Sequence, residues 1–485
     1  MTIDNLVKRI QNIMRRDSGV DGDAQRISQL VWLLFLKVYD AKEEEWEFME
    51  ENYESIIPEH LKWRNWVPDN KDGEAMTGES LLDFVNNNLF PTLKGLEIDE
   101  YTPRRAAIVK TIFDAGYNYM RDGVLLRQVI NVLNEVDFNN YDERHAFNDV
   151  YETFLKSLQS AGTSGEFYTT RVLTEFIVEV LDPQIGEKFA DYAVGTGGFL
   201  ISAIEHLREQ EKTPEDREKV NNSIVGIEKK GLPYQLAMTN LILHDIDEPN
   251  ILRGNSLAIN VRDISKDNKV DVVAMNPPYG GVEGDGIQAN FPSDMQTKET
   301  ADLFMVMIMY HLKKNGRAGV ILPDGFLFGT DNAKVNIKKK LLNEFNLHTI
   351  IRLPSGVFAP YTSIKTNILF FDNKSKTDSI DYYEIPLPEG VKNGFTKTRP
   401  FMKKHINDAK DWILNSGKAT EDENAYNVGI EEIEARNYNL DISNPANVKE
   451  EEVFTLGELM DQLDSNTKEI QELIGDLQKI LMGGK

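Results

Sequence analysis

The chain has 485 residues, 41% of them hydrophobic and 27% charged, with a net charge of −25. That is enough for two or three domains around a large core, and too apolar for a disordered polymer. Cysteine is absent, which excludes disulfides, thiolate metal sites and thiol nucleophiles, and with the last of these methyl transfer to carbon 5 of cytosine, which usually proceeds through a cysteine.

Residues 1–150 read as a helical N-terminal domain. Leu6, Ile10, Ile13 and Met14 share one helical face, and Ile27, Leu30, Val31, Leu34 and Val38 share another. The acidic run Glu43-Glu44-Glu45, with Glu47, Glu50 and Glu51, reads as a solvated helix face. The start, Met1-Thr2-Ile3-Asp4, has no basic stretch followed by an apolar one. The longest unbroken apolar run, from Leu303 to Tyr310, is far too short to cross a bilayer. A cytoplasmic protein with no membrane partner is expected.

Residues 151–385 alternate strand and helix patterns, the mark of a doubly wound α/β sheet. Strands are predicted at 188–193, 223–228, 251–253, 270–275, 318–322, 348–353 and 367–371. Asp191-Tyr192-Ala193-Val194-Gly195-Thr196-Gly197-Gly198 follows the first strand and opens a helix through Ile201, Ile204 and Leu207. Glycines at such a turn let the backbone approach a ligand. No Gly-Lys-Ser/Thr phosphate loop occurs, which disfavours an NTPase. The second strand ends at Glu228, an acid placed to accept hydrogen bonds from ribose hydroxyls. The third ends near Asn255 and Leu257. The fourth runs into Asn276-Pro277-Pro278-Tyr279. Four strand ends in this order form one crevice at the carboxyl edge of a parallel sheet, read here as an S-adenosylmethionine site.

The Asn-Pro-Pro-Tyr turn carries the chemistry. Two prolines fix the backbone and remove donors, so the loop offers mainly carbonyl acceptors. Asn276 adds another acceptor, and Tyr279 a flat ring. An exocyclic amine is a poor nucleophile because its lone pair is delocalised. Acceptors at its hydrogens favour the pyramidal form that attacks. The turn therefore points to methyl transfer to an amino nitrogen.

Elsewhere the readings are plainer. The seven histidines are scattered and no His/Asp/Glu spacing suggests a metal; His244-Asp245 is expected to end a helix. Met305, Met307 and Met309 read as core. Lys338-Lys339-Lys340 reads as an exposed helix face, with a phosphate contact as the sharper alternative. Residues 386–485 form a tail that opens at Leu387-Pro388-Glu389-Gly390. In it Leu456, Leu463, Ile470 and Leu477 recur every seven residues after the capping-box pattern Thr455-Leu456-Gly457-Glu458, a coiled-coil seam that wants partner helices.

The whole set resembles the modification (M) subunit of type I restriction-modification systems, which are adenine N6 DNA methyltransferases. The resemblance rests on Gly165-Glu166-Phe167-Tyr168-Thr169, the 195–200 loop, Asn276 to Tyr279, the segment from Leu353 to Thr362 with Lys365 to Phe371, and Asn437-Tyr438-Asn439-Leu440-Asp441. It implies a Rossmann-like methyltransferase fold with a helical N-terminal domain and a helical, coiled-coil tail. It implies that Glu166, Phe167, Tyr168, Thr169, Thr170 and Arg171 fold over the methionine part of the cofactor. Asp191, Gly195, Thr196, Gly197 and Gly198 would cradle it, Glu228 would hold the ribose, and Asn255 with Leu257 would lie near its adenine. Asn276, Pro277, Pro278 and Tyr279 would act on the target adenine, and Phe358 would line its pocket.

The implied partners are double-stranded DNA, a specificity (S) subunit bound by two M subunits, and a restriction (R) subunit where one exists. An acidic chain is repelled by phosphates, so a basic partner is expected to carry most of the DNA grip. The chain departs from the family at Thr170, usually Pro; at Tyr192 and Val194, usually Pro and a small residue; and at Asn255, often Asp. Two alternatives stay open on the residues alone: an amino methyltransferase acting on protein glutamine or an RNA base, and a non-catalytic scaffold.

Overall fold

All seven predicted strands form, and they lie in one sheet. The structure is a computed structural model that describes residues 3–68, 75–136, 148, 151–152, 155, 168–391, 393–415 and 423–447. Glu166, Phe167 and the seam from Leu456 to Leu477 lie outside the described residues. In chain order the strands are β1 (Phe189–Asp191), β2 (Ile224–Glu228), β3 (Ile251–Arg253), β4 (Val270–Met275), β5 (Leu312–Pro323), β6 (Asn346–Arg352) and β7 (Thr366–Asp372). Two more, β8 (Ser379–Glu384) and β9 (Ala425–Gly429), complete a sheet of order 3-2-1-4-5-7-6-8-9.

Strands β1 to β5 pair in parallel, with Phe189 opposite both Ile224 and Val272. β7 runs antiparallel between β5 and β6. The central strands are apolar on both faces because helices cover both: Val272, Val273, Ala274 and Met275 are fully buried. The helices Gly198–Arg208 and Gly231–Leu243 link β1 to β2 and β2 to β3, and Thr300–His311 lies between β4 and β5. From β1 the chain winds outward to β3, then returns to place β4 on the other side of β1. That reversal opens a crevice at the strands' carboxyl ends. Met305, Met307 and Met309 are core, as expected.

The sheet runs past the expected end at residue 385. β9 pairs antiparallel with β8, and the Tyr382 and Tyr426 rings stack at 4.9 Å. Only Val428 of β9 is buried, so its sequence carries little strand pattern. The Asn437–Asp441 motif also docks on this side. Asn437 and Tyr438 take left-handed backbone angles, Leu440 N–H donates to Leu327 O at 3.0 Å, and Tyr382 hydroxyl donates to Leu440 O at 3.0 Å. Arg352 pairs with Asp441 at 2.5 Å.

The N-terminal helices Ile3–Met14 and Asp23–Met49 turn the predicted faces inward, and Arg104–Ala115 and Gly123–Asn134 pack with them. The 27-residue helix is buried on more sides than its own pattern requires, because it packs against the sheet-side helix Gly231–Leu243. Lys42 bonds Asp245 at 2.7 Å, and Gln235 Nε2 donates to Ile112 O at 2.7 Å. By their contacts residues 1–441 form one unit and 442–485 another. Among the described residues no helix is long and apolar enough to cross a membrane.

Two charge readings are corrected. Glu43 is fully buried rather than solvated, accepting hydrogen bonds from Tyr53 at 2.8 Å and Ser55 at 2.5 Å. Lys338 is also fully buried rather than on an exposed face. Its ammonium donates to Leu327 O at 2.9 Å and Gly329 O at 2.7 Å, satisfying carbonyls at the end of the short helix Asp324–Phe328. Lys339 and Lys340 are half-buried, their ammonium groups over the rings of Tyr438 and Tyr310.

Candidate active site

A cleft of about 370 Å³ opens at the carboxyl ends of β1, β2 and β4. Four of the segments that reach it follow strands, and each has a local cause. After β1 the backbone turns sharply through Gly195 and Gly197, at φ 57° and 85°, a region that favours glycine. Asn240 Nδ2 ties the turn down through Thr196 O at 3.0 Å. After β2, Glu228 accepts from the N–H groups of Gly195 at 2.9 Å and Lys230 at 2.7 Å. The same carboxylate thus holds two loops in register. After β3, Asn255 caps a short helical turn, its Oδ1 accepting from Leu257 N–H at 3.1 Å. After β4 comes Asn276-Pro277-Pro278-Tyr279.

Of the predicted site residues, Thr169, Asp191, Gly195, Thr196, Gly198, Glu228, Asn255, Asn276, Pro278 and Tyr279 line the cleft. The others described stand behind its wall. Tyr168 is buried and donates to Glu152 at 2.5 Å, and Arg171 reaches Gly198 O at 3.2 Å. Leu257 is fully buried and Pro277 buried. Thr170 starts the helix Arg171–Leu181 at φ −62°, a value proline would impose, so the departure keeps the backbone path. Its hydroxyl is buried and has no partner among the described residues.

The departures at 192 and 194 also fit. Val194 fills a notch at Gly226, where an added Cβ would stand 2.6 Å from Val194 Cγ2. Tyr192 packs on His311 at 4.6 Å, and its carbonyl accepts from Ser256 at 2.5 Å. Sequence reasoning did not place Ser256, Lys229, Glu283, Thr300 and Phe304 in the lining, yet they are there. Ser256 and Lys229 adjoin predicted residues. Phe304 sits on a helix apolar all round, where no pattern marks one face as a wall. Lys229 and Glu283 pair at 3.2 Å, joining the end of β2 to the loop after β4.

Burial raises the carboxyl of Glu228. It pushes Asp191 up to about 8, opposed by the Ala193 N–H and reinforced by the charge of Glu228. Two buried acids on one wall suit a cationic ligand, and the sulfonium and ammonium of S-adenosylmethionine are such groups. On the target side, Asn276 Nδ2 donates to Thr169 Oγ1 at 3.1 Å, and Tyr279 hydroxyl donates to Asn276 Oδ1. The Tyr279 ring meets Phe358 edge-on at 6.3 Å.

A sheet of this order with an antiparallel seventh strand, and a glycine-turn cleft at its switch point, define a Rossmann-like S-adenosylmethionine-dependent methyltransferase. The N-6 DNA Methylase family profile matches residues 142–453, and the HsdM N-terminal domain profile matches 3–133. The type I restriction enzyme EcoEI methylase subunit of Escherichia coli is 49% identical over 99% of this chain and 98% of its own. The crystal structure of the modification subunit assigned to a type I restriction enzyme of Vibrio vulnificus YJ016 superposes with a TM-score of 0.79 at 42% identity, covering 92% of this chain and 96% of that one. A chain solved in a study of complex assembly and conformational transition of the type I system gives 0.83 at 36% identity, covering 100% and 99%. The chain belongs to the N-6 DNA methylase family, among the methylase subunits of type I restriction enzymes.

Proposed function

We propose that this chain transfers a methyl group from S-adenosylmethionine to the N6 amino group of adenine in duplex DNA, as the modification subunit of a type I complex in the cytoplasm. The observation that carries the reading is the shared cleft: the Asn276–Tyr279 turn opens onto the same space as the Gly195–Gly198 turn and Glu228. The cofactor supplies an electrophilic methyl at its sulfonium. Glu228 takes the ribose, Asp191 faces the cationic end, and Asn255 borders the adenine. A target adenine cannot be reached within the stack, so it flips out. Asn276 Oδ1 and the Pro277 carbonyl then accept from its amine, Tyr279 stacks on the ring, and Phe358 walls the pocket. Attack is direct, with no covalent enzyme intermediate.

The net charge of −25 supports dependence on a basic partner for DNA. Relatives named as methylase subunits of type I restriction enzymes support membership of a larger complex, in which the family resemblance implies a specificity subunit bound by two copies of this chain, and a restriction subunit where the system has one. The heptad seam from Leu456 to Leu477 offers the specificity subunit a docking face.

Asn276→Ala in the assembled methylase tests the chemistry. Methylation should fall on the order of a hundredfold or more, because an oriented acceptor is lost from the transition state. Calorimetric affinity for S-adenosylmethionine should stay near normal. Unchanged turnover would remove Asn276 from the reaction.

A further inference from the structure

Thr169 is where the cofactor side of the cleft meets the target side. Its carbonyl lies against Gly198, at whose position an added Cβ would stand 3.6 Å from that oxygen. Its hydroxyl accepts from Asn276 Nδ2 at 3.1 Å. The other end of the same amide, Oδ1, accepts from the Tyr279 hydroxyl. Both ends of one amide are therefore held, and in one sense.

That sense matters to the reaction. A primary amide has a donor end and an acceptor end of almost the same shape. The target amine brings two N–H donors, so only the oxygen can serve it. An inverted amide would set donor against donor. The two neighbours divide the roles by their own chemistry. An aliphatic hydroxyl is the better acceptor and a phenol the better donor. Burial raises the Tyr279 phenol well above its ordinary range, which keeps it protonated and donating.

We propose that Thr169 is a positioning residue for methyl transfer: its hydroxyl takes the Asn276 amino group and so fixes the amide oxygen toward the target amine. The inference rests on the reading that Asn276 accepts from that amine. It gives the Thr169 side chain a task distinct from the cofactor contact implied by family resemblance. In the base-free state Tyr279 caps the oxygen. An incoming adenine displaces that hydroxyl, while the Thr169 bond lies behind the amide and persists through the reaction. The cofactor turn, through Gly198 and Thr169, thereby aligns the group that receives the base.

The test uses the assembled methylase with Thr169→Val, which keeps the shape and loses the acceptor, Thr169→Ala as a second deletion, and Thr169→Ser as rescue. Single-turnover methylation should slow on the order of tenfold in the Val and Ala variants, the value of one oriented hydrogen bond. Calorimetric affinity for S-adenosylmethionine should change by less than about twofold, and Ser should restore most of the rate. Melting temperatures identify any variant that fails to fold, and the remaining one decides. Weakened cofactor affinity with an unchanged rate would make Thr169 a cofactor contact and overturn the proposal. Full activity in Val and Ala would overturn it too. An active Asn276→Ala enzyme would instead overturn the underlying reading, whatever Thr169 does.

Discussion

Two groups of carboxylates, one along the 27-residue N-terminal helix and one in the cleft, are answered by different means. Along the acidic stretch of the 27-residue helix the answer comes chiefly from side chains, with one main-chain bond from Arg64 N–H to Asp40 at 3.1 Å. Arg64 reaches Glu47 at 2.6 Å and Asp40 at 3.6 Å, Lys62 reaches Glu47 at 2.8 Å, and Tyr53 and Ser55 bond Glu43. For Asp191 and Glu228 in the cleft the answer comes from the main chain. Asp191 accepts from Ala193 N–H at 3.0 Å, and Glu228 from the N–H groups of Gly195 and Lys230. Side-chain cations neutralise charge for the fold's own benefit. Main-chain donors hold a carboxyl group in place without supplying a countercharge, which leaves it free to ionise against a cationic ligand.

Arg64→Ala should separate the two regions most clearly. It strips the guanidinium from Asp40 and one of the two cations from Glu47, which keeps Lys62 at 2.8 Å. Stability should fall by about 1–3 kcal/mol in urea unfolding. The loss is softened because burial has already pushed Asp40 up to about 7, where it readily takes a proton. Cofactor affinity per folded molecule should not change. A parallel loss of affinity would erase the distinction between charges kept for folding and charges kept for binding.

Tyr279 sharpens the comparison on the target side. Tyr279→Ala should weaken productive engagement of DNA by about 1–3 kcal/mol, the worth of base–aromatic stacking. Tyr279→Phe should keep much of the activity, since the ring remains and the Asn276 oxygen is merely uncapped. Equal damage in both, measured as kcat/KM on DNA, would make the hydroxyl rather than the ring the active part.

The last effect is a slope. The Asp191 carboxyl is raised to about 8, while an unfolded aspartate titrates near about 4. Between those values the folded, ligand-free protein holds a proton that the unfolded chain has lost. Stability from this group is thus greatest at the acid end and declines as pH rises towards 8. A cationic cofactor favours the ionised form, so its affinity should rise with pH across that window and level off above it. Asp191→Asn should flatten the rise in calorimetric titrations between pH 6 and 8. A slope that survives in the mutant would assign the titration to another group.

The parts legible in sequence were those where one residue pattern has one structural solution. Val270 to Met275 is apolar on both faces, as a central parallel strand must be, and Asn276 follows it as the turn onto the cleft. The unread parts depend on partners distant in the chain. Lys338 looks like its neighbours Lys339 and Lys340, and only the Leu327 and Gly329 carbonyls make it a buried cap. β9 owes its strand to β8 rather than to its own residues. Glu43 was misread because Tyr53 and Ser55, on the following loop, close over it. Thr169 was placed near the cofactor from resemblance, but its bond to Asn276 spans 107 positions and no spacing encodes it.

The notch between Val194 and Gly226 bears on how such enzymes diversify. A valine in the glycine turn is tolerated here because the facing strand offers no side chain, with Ile251 and Leu200 closing the gap at 3.2 Å. The two positions lie 32 residues apart yet are sterically coupled. A graft that carries over this turn without Gly226 inherits a collision. A graft that carries Gly226 beneath a smaller turn residue inherits a void beside the ligand. Recombination among these subunits should therefore pass most cleanly at break points outside the stretch from β1 to β2, with turn and strand travelling together.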